Sequence, residues 1–258
     1  MKLTPDNYFS AEANQAYMSV SQYKQFRSCE ARALAEIRGE YVRPVSTAML
    51  VGSYIDAYFT EDLDRFIEDH PEIISTRGAT KGQLKSDFKQ AEEIINRLLD
   101  DRFFQDFMGG IPQKIFTGEI GGVPFKAKLD LLHESRIVDL KIVRDFEDIW
   151  SPEDGRRVSW IRFWGYDIQG AIYQAITAQA TGERLPFYLA AATKETVMDK
   201  AVIQIADQVL KTRLAEVEAF APGFQAIKMG LVEPVRCERC DYCKSTKVLT
   251  ETTLYEGE

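Results

Sequence analysis

Hydrophobic and polar positions along the chain change period repeatedly, and each change marks a boundary between elements. From Ser19 to Arg38 the pattern is helical, with Ser19-Val-Ser21 as a cap and Gly39 as a stop, so one helix is predicted there. A second is predicted to begin near Ser46-Thr47 and to carry Met49, Leu50, Ile55 and Phe59. A loop containing His70-Pro71 and Arg77-Gly78 leads to a third, from about Lys81 to Leu99. The period then shortens. QKIFTGEI, VPFKAKLDLL and RIVDLKIV are β-rich runs separated by turn signals and read as consecutive antiparallel strands. A long helix is expected from about Trp160 to Thr181, stopped by Gly182, followed by a strand, PFYLAAAT. An amphipathic helix over Thr196 to Phe220 completes the pattern. This order implies an α/β sandwich around a mixed sheet. No internal repeat or low-complexity linker divides the 258 residues, so a single domain is expected.

Two of the apolar runs carry charges where a core strand should have none. Asp130 interrupts VPFKAKLDLL, and Asp139 and Lys141 interrupt a run whose other members are Ile137, Val138, Leu140, Ile142 and Val143. Asp139 and Lys141 are two apart, so their side chains leave the same face of the strand, and Asp130 on the neighbouring strand can reach the same place. Two carboxylates side by side repel, and burying one is costly unless it is paired. A hard divalent cation, Mg²⁺ or Mn²⁺, resolves that cost, and Lys141 would stand within reach of its water or of a developing oxyanion. The plainer reading is a structural ion pair between Asp139 and Lys141 with Asp130 solvated beyond it.

Composition changes this picture little. The chain is 45% hydrophobic and 28% charged, as soluble globular proteins are. A net charge of −8 argues against a generic polyanion binder but permits a local basic groove. The N-terminus lacks an apolar signal segment, and no apolar run approaches the roughly 20 residues of a membrane span, so a cytoplasmic, membrane-free protein is expected. Disulfides are disfavoured in that compartment, which leaves four cysteines to explain. Cys237, Cys240 and Cys243 follow C-x-x-C-x-x-C spacing, and Cys29 stands alone. Three thiols this close argue for soft metal ligation, and thiolate-bound zinc and iron–sulfur clusters both take four. The plainer alternative for Cys29 is a small buried hydrophobe.

Other candidates are less specific. Lys81, Lys85 and Lys89 would form a basic helix stripe, with Arg77 before it, and Arg156, Arg157 and Arg162 cluster ahead of the long helix. Each set could contact phosphates or form a solvated face. The aromatic run Trp160, Phe163, Trp164 and Tyr166 is expected to pack in the core. His70 and His133 fall in predicted loops, so neither is given a catalytic role.

Asp130 with Asp139-Leu140-Lys141 resembles the D…(D/E)-x-K core of the PD-(D/E)xK nuclease superfamily, without the proline that often precedes the first aspartate. Gln169-Gly-Ala-Ile-Tyr173 resembles the helical Q-x-x-x-Y motif of its RecB-like and RecE/lambda-exonuclease-like branch. Gly52-Ser-Tyr-Ile-Asp56 resembles that branch's G-x-x-x-H segment, with Asp56 in the histidine's place. Glu119 stands eleven residues before Asp130, where relatives carry a supporting acid. The resemblance implies a restriction-endonuclease-like fold: a mixed central sheet flanked by helices, with helical N- and C-terminal extensions and a catalytic core over about 46–220. It implies that Asp130, Asp139, the Leu140 carbonyl and Asp56 bind metal, with Lys141, Glu119, Gln169 and Tyr173 completing the catalytic set. The split of the cysteines resembles the staple of AddB-like nucleases and implies a [4Fe–4S] cluster on Cys29, Cys237, Cys240 and Cys243, with structural Zn²⁺ as the alternative. The implied activity is phage-type exonuclease action on double-stranded DNA ends, with a single-strand annealing protein as partner and homo-oligomers as in related ring-forming enzymes. Two other readings stay open: a nuclease-fold DNA-binding protein without catalysis, and a cysteine-metal structural protein.

Overall fold

The structure, a computed structural model, describes residues 1–250, 252 and 254. Its first part is helical: α1 (Ala11–Ala16), α2 (Val20–Ser28), α3 (Glu30–Arg38), α4 (Thr47–Phe59), α5 (Leu63–Asp69), α6 (Ser86–Leu99) and α7 (Arg102–Met108). The predicted meander follows as β1 (Ile111–Ile120), β2 (Val123–Leu132) and β3 (Ile137–Val143). A small hairpin of β4 (Ile149–Ser151) and β5 (Arg156–Val158) leads to α8 (Trp160–Phe163) and α9 (Tyr166–Thr181). Then come β6 (Phe187–Thr193), β7 (Lys200–Gln204), α10 (Asp207–Lys228) and α11 (Asp241–Ser245).

The five long strands form one mixed sheet in the order β1-β2-β3-β6-β7. β3 and β6 run parallel along their whole length, Ile137 to Val143 beside Phe187 to Thr193, and every other pair is antiparallel. A parallel pair needs a crossover, and α9 supplies it. Both strands are covered on both faces, which is why IVDLKIV and FYLAAAT are almost continuously apolar. Phe26, Phe125, Ile172, Ile176, Phe187 and Phe224 fill the core beneath α2, α9 and α10. On the opposite face, Tyr54, Ile55, Phe88, Leu98, Phe104 and Val138 pack beneath α4, α6 and α7. Among the described residues, no helix is long and apolar enough to cross a membrane.

Four predicted helices are corrected. The helix over Ser19 to Arg38 breaks at Cys29, whose extended backbone (φ −166°, ψ 109°) turns its thiol toward Cys243. The helix from Lys81 begins only at Ser86, because Gly82 sits at φ +83°, outside helical space. Lys81 therefore lies in a turn and Lys85 at the cap, so the three lysines share no helix stripe. The helix over Trp160 to Thr181 breaks at Gly165 (φ +63°), where a side chain would also crowd Lys24. The segment Thr196 to Phe220 splits into β7, which pairs with the edge of β6, and α10, which runs on to Lys228. The aromatic run is only partly core: Trp160 is buried against Phe146, while Trp164 is 51% exposed.

Candidate active site

The ladder around Asp130 is irregular on both sides. In β1 the register position facing Asp130 is Gln113, which takes a positive φ of 55° and makes no ladder pair. Leu129 enters one core and Leu131 the other, so β2 rotates about its axis at Asp130. β2 and β3 pair only at Leu131–Val138 and Leu132–Ile137. One step further, where Asp130 would face Asp139, the strands part. Asp130 Oδ2 accepts the Leu140 amide at 3.0 Å, so a carboxylate replaces the missing ladder carbonyl.

The polar side chains converge in that gap. Lys141 Nζ lies 2.5 Å from Asp139 Oδ2 and 4.0 Å from Asp130 Oδ2, and it donates to the Leu140 carbonyl at 3.1 Å. Gln169 Nε2 donates to Asp139 Oδ1 at 2.6 Å. One turn later on α9, the Tyr173 hydroxyl donates to the Lys128 carbonyl at 3.1 Å, anchoring β2 two residues before Asp130. The i, i+4 spacing of Gln169 and Tyr173 thus ties both strands of the gap to one helix face.

Burial governs the electrostatics. Asp139 is fully buried, which pushes its carboxyl up, and the Asp130 charge adds to the push against the pull of Lys141. For Lys141, burial opposes the charge, but the charges of Asp139 and Asp130 outweigh it and hold the ammonium above its ordinary range. Tyr173 is held well above the usual tyrosine value by burial and by the two carboxylates, so it is a neutral donor. These residues fit a divalent cation. Asp139 Oδ2 is buried without a well-formed hydrogen bond, and one positive group already stands among it, the Leu140 carbonyl and Asp130. All three donors are hard oxygens, which suits Mg²⁺ or Mn²⁺.

The remaining predicted residues divide. Asp56, on α4, is pushed up to about 7 by burial and the Asp130 charge, against Lys141 and Lys128, which places it in the field of the site. It does not complete a close three-carboxylate group: among the described residues, the four cysteines are the only set of three or more Cys, His, Asp or Glu whose ligand atoms lie within 4.8 Å of one another. Glu119 is a correction. It is exposed and pairs with Pro124 at the turn end of the β1–β2 hairpin. Six residues of strand at about 3.3 Å each place it roughly 20 Å from the level of Asp130. His70 contacts Glu72 and His133 contacts the Phe107 carbonyl, both outside the gap.

Sequence reasoning missed Lys24. It lies on α2, donates to the Trp164 carbonyl at 3.0 Å and, with Lys141, flanks the Tyr166 ring. Burial, then the Lys141 charge, lowers it to about 8 against the opposing pull of Asp139 and Asp167. Lys24 joins two cavities. One, of about 440 Å³, holds Tyr8, Phe9, Lys128, Asp130 and Tyr173 on its walls. The other, of about 500 Å³, is lined by Arg27, Arg32, Arg43, Arg162 and the exposed Trp164. Its arginines are ion-paired, Arg27 with Glu153, Arg43 with Glu36 and Arg162 with Asp154. The basic surface beside the site is therefore built from α2, α3, the loop after α3 and α8, and of the predicted arginine cluster only Arg162 joins it.

The cysteines converge about a separate point. Cys29 and Cys243 sulfurs are 3.5 Å apart, Cys240 and Cys29 3.8 Å, and Cys237 and Cys243 3.9 Å, all as free thiols. Cys29 and Cys243 are buried together with Ala31 beneath Tyr242.

Comparison with known proteins agrees with this geometry. No curated protein matches the chain. The crystal structure of a "Putative exonuclease" from Eubacterium rectale is similar over 98% of this chain and 97% of that one, with 44% identity and a TM-score of 0.93. The family described as "PDDEXK-like domain of unknown function (DUF3799)" matches residues 19–246, which include Asp130, Asp139, Lys141, Gln169 and all four cysteines. A mixed five-stranded sheet flanked by helices is a restriction-endonuclease-like fold, and the chain belongs to the PDDEXK-like family DUF3799.

Proposed function

We propose that the protein is a metal-dependent deoxyribonuclease that degrades double-stranded DNA from its ends. The observation that carries this reading is the convergence of Asp130, Asp139 and the Leu140 carbonyl on the ammonium of Lys141, where β2 and β3 part. Those three oxygens would hold a divalent cation, which would supply a water of lowered pKa and neutralise charge on the scissile phosphate. Lys141, displaced from Asp139 toward the phosphate, orients the attacking water or donates to a non-bridging oxygen as charge builds there. The water oxygen bonds phosphorus as the water gives a proton to solvent, one ester P–O bond breaks, and the departing alkoxide takes a proton from solvent. Gln169 holds Asp139 so that only one of its oxygens faces the gap, and Tyr173 fixes β2 so that Asp130 keeps its place. Asp56 tunes the site through its charge.

The groove along α2 and α3 suits a DNA backbone. Its arginines exchange Glu36, Glu153 and Asp154 for phosphates, and Trp164 offers a ring for an unpaired base. The preference for ends, and an annealing protein that receives the exposed strand, are part of this proposal and rest on the resemblance to the RecE/lambda-exonuclease-like branch. End-labelled linear duplex and closed circular DNA, each with Mg²⁺ and then with chelator, test the reading. Release of label from linear duplex alone, dependent on Mg²⁺ and lost in folded Asp139→Ala and Lys141→Ala variants, is expected. Activity that survives either substitution, or DNA binding without hydrolysis, refutes it.

A further inference from the structure

The iron–sulfur cluster implied by the likeness to AddB-like nucleases does not match the spacing of the four sulfurs. In a cubane each thiolate binds a different iron, so the cluster stands between the ligands and holds them apart. A single tetrahedral ion draws all four onto itself. With metal–sulfur bonds of about 2.3 Å, a tetrahedron sets neighbouring sulfurs about 3.8 Å apart. The separations here are 3.5, 3.8 and 3.9 Å, and all four sulfurs lie within 4.8 Å of one another. They leave room for one ion and none for a cage of irons.

We propose that Cys29, Cys237, Cys240 and Cys243 hold one zinc ion in a closed tetrathiolate site. The surroundings suit thiolates. The Cys240 amide donates to Cys237 Sγ and the Cys243 amide to Cys240 Sγ, both at 3.4 Å, and such N–H···S contacts stabilise the anionic sulfur. The chain supplies all four ligands, so no position is left for water or substrate, and the ion's role is structural.

What it braces is specific. Cys29 sits at the break between α2 and α3, and beside it the Ala31 amide donates to the Val235 carbonyl while Glu30 accepts the Val235 amide. The ion therefore pins residues 235–243 to the break from which Lys24, Arg27 and Arg32 project into the groove. Cys29 and Cys243 are 214 residues apart, so the link also closes almost the whole chain into one loop.

The test uses the full chain, purified anaerobically from cells supplied with both iron and zinc. Elemental and sulfide analysis is expected to find one zinc per chain, no inorganic sulfide and a colourless protein. Stripping the metal and adding Co²⁺ should produce the thiolate-to-cobalt absorption and visible bands of a tetrahedral site, reversed by zinc. Metal removal should lower Tm by roughly 5–10 °C, with recovery on adding zinc. Cys240→Ser should purify with little zinc, and if that variant does not fold, the cobalt titration of the unaltered chain still decides. Stoichiometric iron, with or without sulfide, overturns the proposal. So does a metal-free protein that gives no cobalt spectrum.

Discussion

Gly170→Ala tests whether the packing of α9 sets the active site. Gly170 follows Gln169 on the face of α9 that meets β6, and a Cβ there would lie 2.5 and 2.7 Å from two ring carbons of Phe187 and 3.0 Å from Leu210 Cδ2. Phe187 is fully buried and Leu210 nearly so, so neither can swing aside. Overpacking of this kind costs about 1–3 kcal/mol. Replacing glycine within a helix returns about 1 kcal/mol. Contacts this far inside van der Waals distance put the cost at its upper end, so the net loss is about 2 kcal/mol. The strain is relieved by moving α9 off the sheet, which lengthens the 2.6 Å bond from Gln169 to Asp139, so hydrolysis should fall while the fold persists. Gly223 on α10 is the control: a Cβ there meets nothing within 4 Å, so Gly223→Ala should stabilise by up to about 1 kcal/mol. Urea unfolding followed by circular dichroism, extrapolated linearly to water, measures both. A Gly170→Ala protein as stable as the unaltered chain, or equal losses at the two positions, would refute the reasoning.

Glu119→Ala should leave nuclease activity within twofold and stability within about 0.5 kcal/mol, because the residue is exposed and distant from Asp130; a large loss in the end-label assay would return Glu119 to the site. Lys24→Met should weaken duplex binding and reduce the slope of log K against log salt by about one, read by fluorescence anisotropy across a salt series. An unchanged slope would show that Lys24 meets no phosphate. Lys126 is buried with only neutral acceptors, the Tyr8 carbonyl and Asn14 Oδ1, and burial lowers it to about 8 from an ordinary 10.5. Above that value the folded state sheds its proton while the unfolded chain keeps one up to about 10.5, so stability rises with pH through this window. Between pH 8 and 10 the protein should gain about 2 kcal/mol relative to Lys126→Met, measured by urea unfolding at each pH; a constant difference would sink the assignment.

Asp130, Asp139 and Lys141 are legible because charges stand out in runs that burial makes apolar. Gln169 and Tyr173 are legible only through their resemblance to the Q-x-x-x-Y motif, since helical spacing puts them on one face without marking that face as functional. Glu119 misleads because counting residues upstream ignores the hairpin: its antiparallel course carries position 119 to the turn, and the residue that faces Asp130 is Gln113. Lys24 is invisible locally, since its approach to Lys141 is made by tertiary packing of α2 against α9. The break at Cys29 has no signal in its own neighbourhood either, because the partners that impose it lie more than two hundred residues away. β7 is short and at an edge, where KAVIQ satisfies a helical pattern as readily as an alternating one.

β2 and β3 share two ladder pairs, against nine between β1 and β2 and seven between β3 and β6. Mechanically the sheet is two plates meeting along a weak hinge line, and Asp130 and Asp139 stand on that line, one to each plate. Whatever bridges them also clamps the plates, so loading the centre should slow amide exchange along the line before it slows exchange elsewhere. Chemistry and local rigidity in this molecule draw on the same small patch of missing hydrogen bonds.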